Sequence, residues 1–100
     1  MTQPNSKPVY RIADLHESER PRERLVSLGA QALTNAELIA ILLRVGVKGE
    51  NAVEVGQRLL KKFNGLSGLH RAPIKELIEQ HVIGEKAAQV KAAIELGRRL

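Results

Sequence analysis

The sequence predicts an all-α domain of about five short helices. Apolar residues make up 43% of the 100 residues, yet only Tyr10 and Phe63 are aromatic, whereas sheets favour aromatic and β-branched side chains. Apolar residues recur at helical spacing, and no stretch alternates at a period of two. Glycine or proline punctuates the apolar segments. A chain of this length forms one domain with a modest core.

The chain divides into a lead and a folded domain. Residues 1–13 include two prolines and have little to bury, so we expect a disordered lead. The folded domain then covers residues 14–100. Its first helix is predicted over 20–28, because Pro21 suits an opening turn and Gly29 can end the helix. The apolar contacts of this helix are expected from Leu25, Val26 and Leu28.

The second and third helices each have a recognisable N-terminal cap. Thr34 and Glu37 have the spacing of a capping box. The apolar residues that follow predict a helix that is buried on most sides and stops at Gly46. Asn51 is a good N-cap for a third helix, which is expected to continue to about Phe63.

Three further helical segments follow in the C-terminal part. A short helical turn is expected around 66–69, and Pro73 can open a fourth helix that reaches about Gln80. The last helix runs from Glu85 to the end. Its apolar residues lie three and four positions apart and form a narrow stripe for close packing, namely Ala87, Val90, Ile94 and Gly97.

The most informative motif is the glycine turn before the last helix. An apolar segment leads into Gly84, and a basic, alanine-rich helix follows, which is the outline of a helix-hairpin-helix. Turn amides and a helix N-terminus offer unpaired N–H groups to a nucleic-acid phosphate. Lys86 can add a full positive charge. An ordinary helical turn with a glycine cap is the alternative for so short a motif.

A similar pattern occurs earlier in the chain. The turn over 45–49 lies between two predicted helices, as the Gly84 turn does, so we expect two pseudo-repeated helix-hairpin-helix units. From Asn51 onward there are nine Lys and Arg against five Glu, and this excess favours a polyanionic partner. The residues predicted to contact DNA phosphates are Gly46, Lys48, Gly49, Gly84, Lys86 and Lys91.

Composition argues against several other functions. The absence of cysteine excludes disulfides and thiolate metal sites. His16, His70 and His81 lack the spacing of a metal-ligand motif, so we expect no metal, no cofactor and no catalysis in this chain. The few aromatic residues disfavour stacking on single strands. The apolar runs are too short to span a membrane, so we expect a cytoplasmic protein, most simply a monomer.

Several blocks of the sequence resemble the N-terminal region of bacterial RadC-type proteins. The blocks lie at 20–25, 35–44, 46–49 and 92–99. The resemblance implies a helical region with a helix-hairpin-helix element, followed by a JAB/MPN-type domain with a metal-dependent hydrolase fold. That domain would lie beyond Leu100, and the family has a DNA-repair label.

The second turn departs from the family pattern. The family usually has Gly-Ile-Gly there, but Val82 stands at the first glycine position, and Glu85 would repel a docking phosphate. We therefore expect the turn with Lys48 to contribute more to phosphate binding. The resulting hypothesis is a DNA-binding accessory module without sequence specificity. The alternative is a structural module that docks on the JAB/MPN domain or another protein.

Overall fold

The computed structural model describes residues 20–44, 46–47, 49–79 and 83–100. These residues contain no strand, and a single isolated antiparallel bridge joins Val47 to Glu50. The lead predicted for 1–13 lies outside them. The described part of the chain has two 3-10 turns, at Ala30–Ala32 and Gly84–Lys86. The described α-helices are α1 (Pro21–Leu28), α2 (Asn35–Leu43), α3 (Ala52–Lys62), α4 (Gly65–Arg71), α5 (Ile74–Ile78) and α6 (Ala87–Arg98).

Reciprocal capping boxes begin α2 and α3. The Thr34 hydroxyl accepts the Glu37 N–H at 3.1 Å, and the Glu37 carboxylate accepts the Thr34 N–H at 3.1 Å. Asn51 and Glu54 form the same pair of bonds at 2.9 and 3.0 Å. Both predicted caps are therefore confirmed. Each satisfies N–H groups that have no partner inside the helix.

The C-terminal end of α2 differs from the prediction. The helix ends at Leu43, before Gly46, and Arg44 follows with φ 73° and ψ −45°. The Arg44 N–H still donates to Ala40 O at 2.9 Å. Gly46 is instead required for close approach of the chain, because a Cβ atom there would lie 2.2 Å from Glu50 O. This glycine lets the chain fold back on itself between α2 and α3.

The helices of the C-terminal part are placed as predicted, but their lengths differ. The expected turn around 66–69 is a full seven-residue helix, α4, and α5 is only five residues long. The predicted end of the fourth helix at Gln80 lies outside the described residues. A 3-10 turn starts at Gly84, where φ is 45°, and leads into α6.

The predicted internal repeat stays a prediction. Nine residues form the helix before the first turn, whereas five form the helix before the second. A capping box opens α3, but α6 follows the 3-10 turn and has no side-chain cap. The two units thus differ in the local chemistry that starts their second helix.

The hydrophobic core forms where α2 packs along α3 and the last three helices close over this pair. Close contact of α2 with α3 requires Gly56, because a Cβ atom there would lie 2.8 Å from Ala36 O. Val26 is 83% exposed and Leu28 is 52% exposed. The expectation that they supply core contacts is wrong, because the buried residue of α1 is Pro21 at its start. The core cluster consists of Ile39, Leu43, Val55, Leu59, Leu69, Ala72, Leu77, Ile83, Ala87 and Val90.

Ion pairs connect elements at the surface of this core. Arg24 Nε lies 2.8 Å from Glu37 Oε2 and joins α1 to α2. Partial burial opposes ionisation of Glu37, but the hydrogen bond from the Thr34 N–H and the nearby Arg24 lower its pKa below the ordinary 4.5. Arg58 donates three hydrogen bonds to the Glu50 carboxylate, at 2.9 to 3.1 Å.

The Glu95 carboxylate, near the C-terminal end of α6, is surrounded by several basic side chains. Arg98 and Arg99 donate hydrogen bonds to it, the shortest at 2.6 Å, and His70 Nε2 on α4 lies 3.5 Å away. The pKa of Glu95 falls from 4.5 to about 2, mainly because of the hydrogen bonds from Arg98 and, to a lesser extent, from Arg99. Because this pKa is lowered on folding, the stabilisation by Glu95 is complete above pH 4.5 and is lost as the pH falls towards 2.

We predict that replacing both arginines with glutamine raises the pKa of Glu95 from about 2 towards 4.5. The measurement is an NMR titration of the Glu95 carboxyl carbon in the parent and in the Arg98→Gln/Arg99→Gln variant. Lys61→Gln removes a positive charge from the end of α3 and should leave the Glu95 midpoint unchanged. An unchanged midpoint in the double variant would contradict the assigned cause.

Candidate nucleic-acid interface

The 3-10 turn at Gly84–Lys86 and the start of α6 contact the C-terminal end of α2. Lys86 Nζ donates a hydrogen bond to Leu43 O, and Gln89 Nε2 lies 3.4 Å from Leu42 O. These carbonyls belong to the last turn of α2, where carbonyl groups have no N–H partner within the helix. Lys86 thus lies beside the segment that leads into Gly46. The fold brings these two predicted phosphate-binding residues to the same end of α2.

The side chain of Lys91 has a different environment. Its ammonium group donates to Leu69 O at 3.2 Å, His70 O at 2.5 Å and Ala72 O at 2.8 Å. An ammonium group has three N–H donors, and here each has a carbonyl partner. The positive charge also lies at the negative end of the α4 dipole. The phosphate contact of Lys91 stays a prediction, but its donors are already engaged in holding α4 against α6.

The two remaining predicted glycines are open to their surroundings. Gly49 has φ 90° and Gly84 has φ 45°, and apart from its chain neighbours no described residue has a heavy atom within 4 Å of the position of an added Cβ. Both positions therefore favour glycine because of their backbone conformation, which L-residues rarely adopt. Reciprocal backbone bonds of 2.9 and 3.0 Å between Val47 and Glu50 close the first turn. Lys48 lies outside the described residues, so its prediction is untested.

The N-terminus of α3 is already capped by the protein. The Asn51 side chain accepts the Glu54 N–H, and the Glu54 carboxylate accepts the Asn51 N–H. The capping box also places a negative charge in the first turn of α3. It favours the helix dipole but disfavours a phosphate at the same position. The N-terminus of α3 is therefore a poor position for a bound phosphate.

A cleft that sequence reasoning missed lies between the start of α1 and the end of α2. Its volume is about 250 Å³, and Arg20, Arg22 and Arg44 line it. Arg22 and Arg44 are exposed, and neither forms an ion pair with another described residue. Arg44 is more than twenty positions from the other two. Only the packing of α1 on α2 shows that these side chains share one cleft.

An apolar groove of about 490 Å³ lies between α2, α4 and α6. Its apolar lining comes mainly from Leu38, Leu42, Leu66 and Ile94. Leu66 is 39% exposed. The sequence pattern of α2 predicted burial on most sides, and the groove is where two leucines of that helix remain accessible.

The described residues offer neither a metal-binding cluster nor a membrane-spanning helix. Among the described residues, no three His, Cys, Asp or Glu side chains are grouped to hold a metal ion. His70 faces Glu95, whereas His16 and His81 lie outside the described part. None of the described helices has the length and apolarity needed to cross a membrane.

The chain matches a known protein family over most of its length. The family model described as UPF0758 N-terminal matches residues 12–89. A UPF0758 protein of Roseiflexus castenholzii is 56% identical over 91 residues, which are 90% of this chain and 39% of the relative. Relatives from Desulfitobacterium hafniense and Moorella thermoacetica are each 54% identical over 90 residues, 89% of this chain and 40% and 39% of their own lengths. The chain spans about two fifths of these relatives. No solved structure matches it.

The contacts of Lys91 generate a stability prediction. Lys91→Met keeps the apolar stem but removes three hydrogen bonds from a charged donor, so the free energy of unfolding should fall by about 2 kcal/mol. Urea denaturation followed by circular dichroism measures this loss. The matched control is Lys75→Met at an exposed position of α5, where a change within about 0.5 kcal/mol is expected. Equal losses in both variants would contradict the role of Lys91 as a cap for the carbonyl groups at the end of α4.

Proposed function

The chain belongs to the UPF0758 family, whose N-terminal model it matches, and we propose that it is a non-sequence-specific DNA-binding module. The sequence resembles the N-terminal region of RadC-type proteins, and the DNA-repair label of that family agrees with this proposal. In our proposal the domain acts in the cytoplasm as a monomer. It performs no catalysis itself and positions the remainder of the longer protein on DNA.

The observation that supports this function most directly is the cationic environment at the end of α2. Lys86 bonds to Leu43 O, and Arg44 follows immediately. Arg20 and Arg22 line the cleft beside it. The positive groups come from α1, from the end of α2 and from the second hairpin. Together with a net charge of +5, they favour a polyanion such as a nucleic-acid backbone.

Contacts to the backbone explain why no sequence specificity is expected. Phosphate contacts position a protein on DNA, whereas contacts to base edges read the sequence. Aromatic platforms for stacking on bases are scarce, since Phe63 is only partly exposed and Tyr10 lies outside the described residues. A charged surface without such platforms fits duplex phosphates better than unstacked bases.

Lys86 and the glycine turns have different parts in this proposal. The ammonium group of Lys86 uses one donor for Leu43 O, which leaves donors available for a phosphate. Gly49 and Gly84 have open surroundings, so a ligand could approach their backbone. Lys48 remains a predicted contact. Lys91 is assigned to the structure of the domain because its three donors have carbonyl partners.

We predict DNA binding that weakens steeply with salt. Fluorescence anisotropy with labelled duplexes of two unrelated sequences should give similar affinities, and the log–log slope against salt should be roughly −0.9 per phosphate contacted. Lys86→Met should reduce affinity, and Lys75→Met is the matched control at an exposed site on α5. Absence of binding at low salt would contradict the proposed function, as would binding that does not respond to salt.

A second candidate function is a docking module, and the apolar groove favours it. Leu38, Leu42 and Leu66 line an accessible surface that water solvates poorly. The relatives are a little more than twice as long as this chain. The RadC resemblance implies that their remaining part is a JAB/MPN-type domain. In this alternative, that part covers the groove.

We predict that the remaining part of the Roseiflexus castenholzii relative, produced separately, shifts groove resonances of the labelled domain. An NMR titration measures these shifts. Leu42→Ser should reduce the effect because it removes apolar contact area, whereas Ile74→Ser changes an exposed apolar residue on α5 outside the groove. Shifts outside the groove, or equal effects of both variants, would argue against docking there.

A further inference from the structure

We propose that the cleft between α1 and the end of α2 is a phosphate-binding site, with Arg22 and Arg44 as its ligands. This inference rests on the proposed DNA-binding function, and it names the place where a backbone phosphate contacts the domain. It differs from the hairpin turns that the sequence motif indicates. The cleft has a volume of about 250 Å³, which is several times that of a water molecule in the liquid.

The conformation of Arg44 is the first argument. Its φ of 73° and ψ of −45° lie near those of the classic γ-turn, which is rare and strained for an L-residue. Among described residues other than glycine, only Asn64 also has a positive φ, and asparagine tolerates that region well. A glycine would avoid the strain at residue 44. Strained residues of this kind concentrate at functional sites.

The surroundings of Arg44 hold it in this conformation. Its N–H donates to Ala40 O at 2.9 Å, and Lys86 Nζ holds the carbonyl of the preceding residue, Leu43. Both bonds hold the peptide group that joins Leu43 to Arg44, so the backbone is fixed on the N-terminal side of the strained position. Fixing the backbone limits the directions available to the long Arg44 side chain, which lines the cleft. A pre-oriented guanidinium loses less entropy when it binds an anion.

The opposite wall of the cleft supplies the second cation. Arg22 lies in the first turn of α1, and the preceding Pro21 is buried, which anchors that wall. The N-cap Arg20 provides no side-chain cap for α1, so first-turn dipoles add to the positive potential. Glu23 is the acidic residue among the lining side chains. Its single negative charge is smaller than the combined charge of Arg22 and Arg44.

A phosphate fits this chemistry better than a carboxylate ligand. Guanidinium groups donate paired N–H bonds to phosphate oxygens, and two such groups can contact one phosphate from two walls. The cleft is open to solvent, so it can admit a phosphate that is part of a polymer. Lys86 lies near the same end of α2 and can contact a neighbouring phosphate.

The test compares two double variants with the same change in charge. Arg22→Gln/Arg44→Gln should weaken binding of a labelled duplex about tenfold or more and reduce the salt slope by about one for each arginine. Lys61→Gln/Lys62→Gln removes two exposed charges at the far end of α3. This end is about 15 Å from the start of the helix. The control should have a much smaller effect. Equal losses from the two variants would overturn the assigned site and leave the proposed function standing.

Arg44→Gly separates binding from folding. Glycine relieves the strain at this position, so the melting temperature should stay the same or rise while DNA affinity falls. Arg44→Lys keeps the charge and should retain part of the affinity. An Arg44→Gly variant that binds DNA as tightly as the parent would overturn the site.

A titration with inorganic phosphate distinguishes free phosphate from DNA as the ligand of the cleft. In the parent, saturable shifts of the Arg22 and Arg44 side-chain Nε resonances on phosphate addition would support the cleft as the binding site. If duplex DNA does not bind but these shifts occur, the proposed function is wrong and the cleft is a site for free phosphate. If neither ligand acts on these resonances, the site itself is overturned.

Discussion

The ammonium groups of Lys86 and Lys91 donate to the carbonyl groups at which α2 and α4 end. Helix C-termini leave carbonyls unpaired, and a nearby positive charge also opposes the negative end of the helix dipole. Both lysines belong to the segment that forms the last 3-10 turn and α6. This segment therefore caps the C-terminal ends of two earlier helices and packs Val90 into the core they share. These contacts fix the position of α6 against α2 and α4.

This constraint changes how the helix-hairpin-helix motif should be interpreted. Basic residues after a glycine turn suggest phosphate contacts, but in this fold the three donors of Lys91 have carbonyl partners. Lys86 retains donors and also fixes the backbone next to Arg44. The hairpin thus supports an anion site made mainly by other residues. In the proposed site Arg22 and Arg44 are the cations, and Lys86 holds the backbone next to Arg44.

The central helix α2 borders both candidate binding surfaces. Ala40 and Arg44 line the cationic cleft, whereas Leu38 and Leu42 line the apolar groove. A helix presents different residues on its different faces, so one element can serve two partners at once. DNA on one face and the remainder of a longer UPF0758 protein on the other are compatible with this geometry. The two proposed functions therefore need not exclude each other.

The sequence alone was enough to predict the local interactions. The capping box of Thr34 and Glu37 was predictable because its partners are three residues apart, within one helical turn. The all-α class followed in the same way from apolar spacing, and the family followed from blocks in a fixed order. Tertiary structure alone decided the rest. A lysine side chain is long and flexible, so only packing determines whether Lys91 meets solvent or carbonyls about twenty residues away. Likewise, Arg22 and Arg44 share a cleft only because α1 packs on α2.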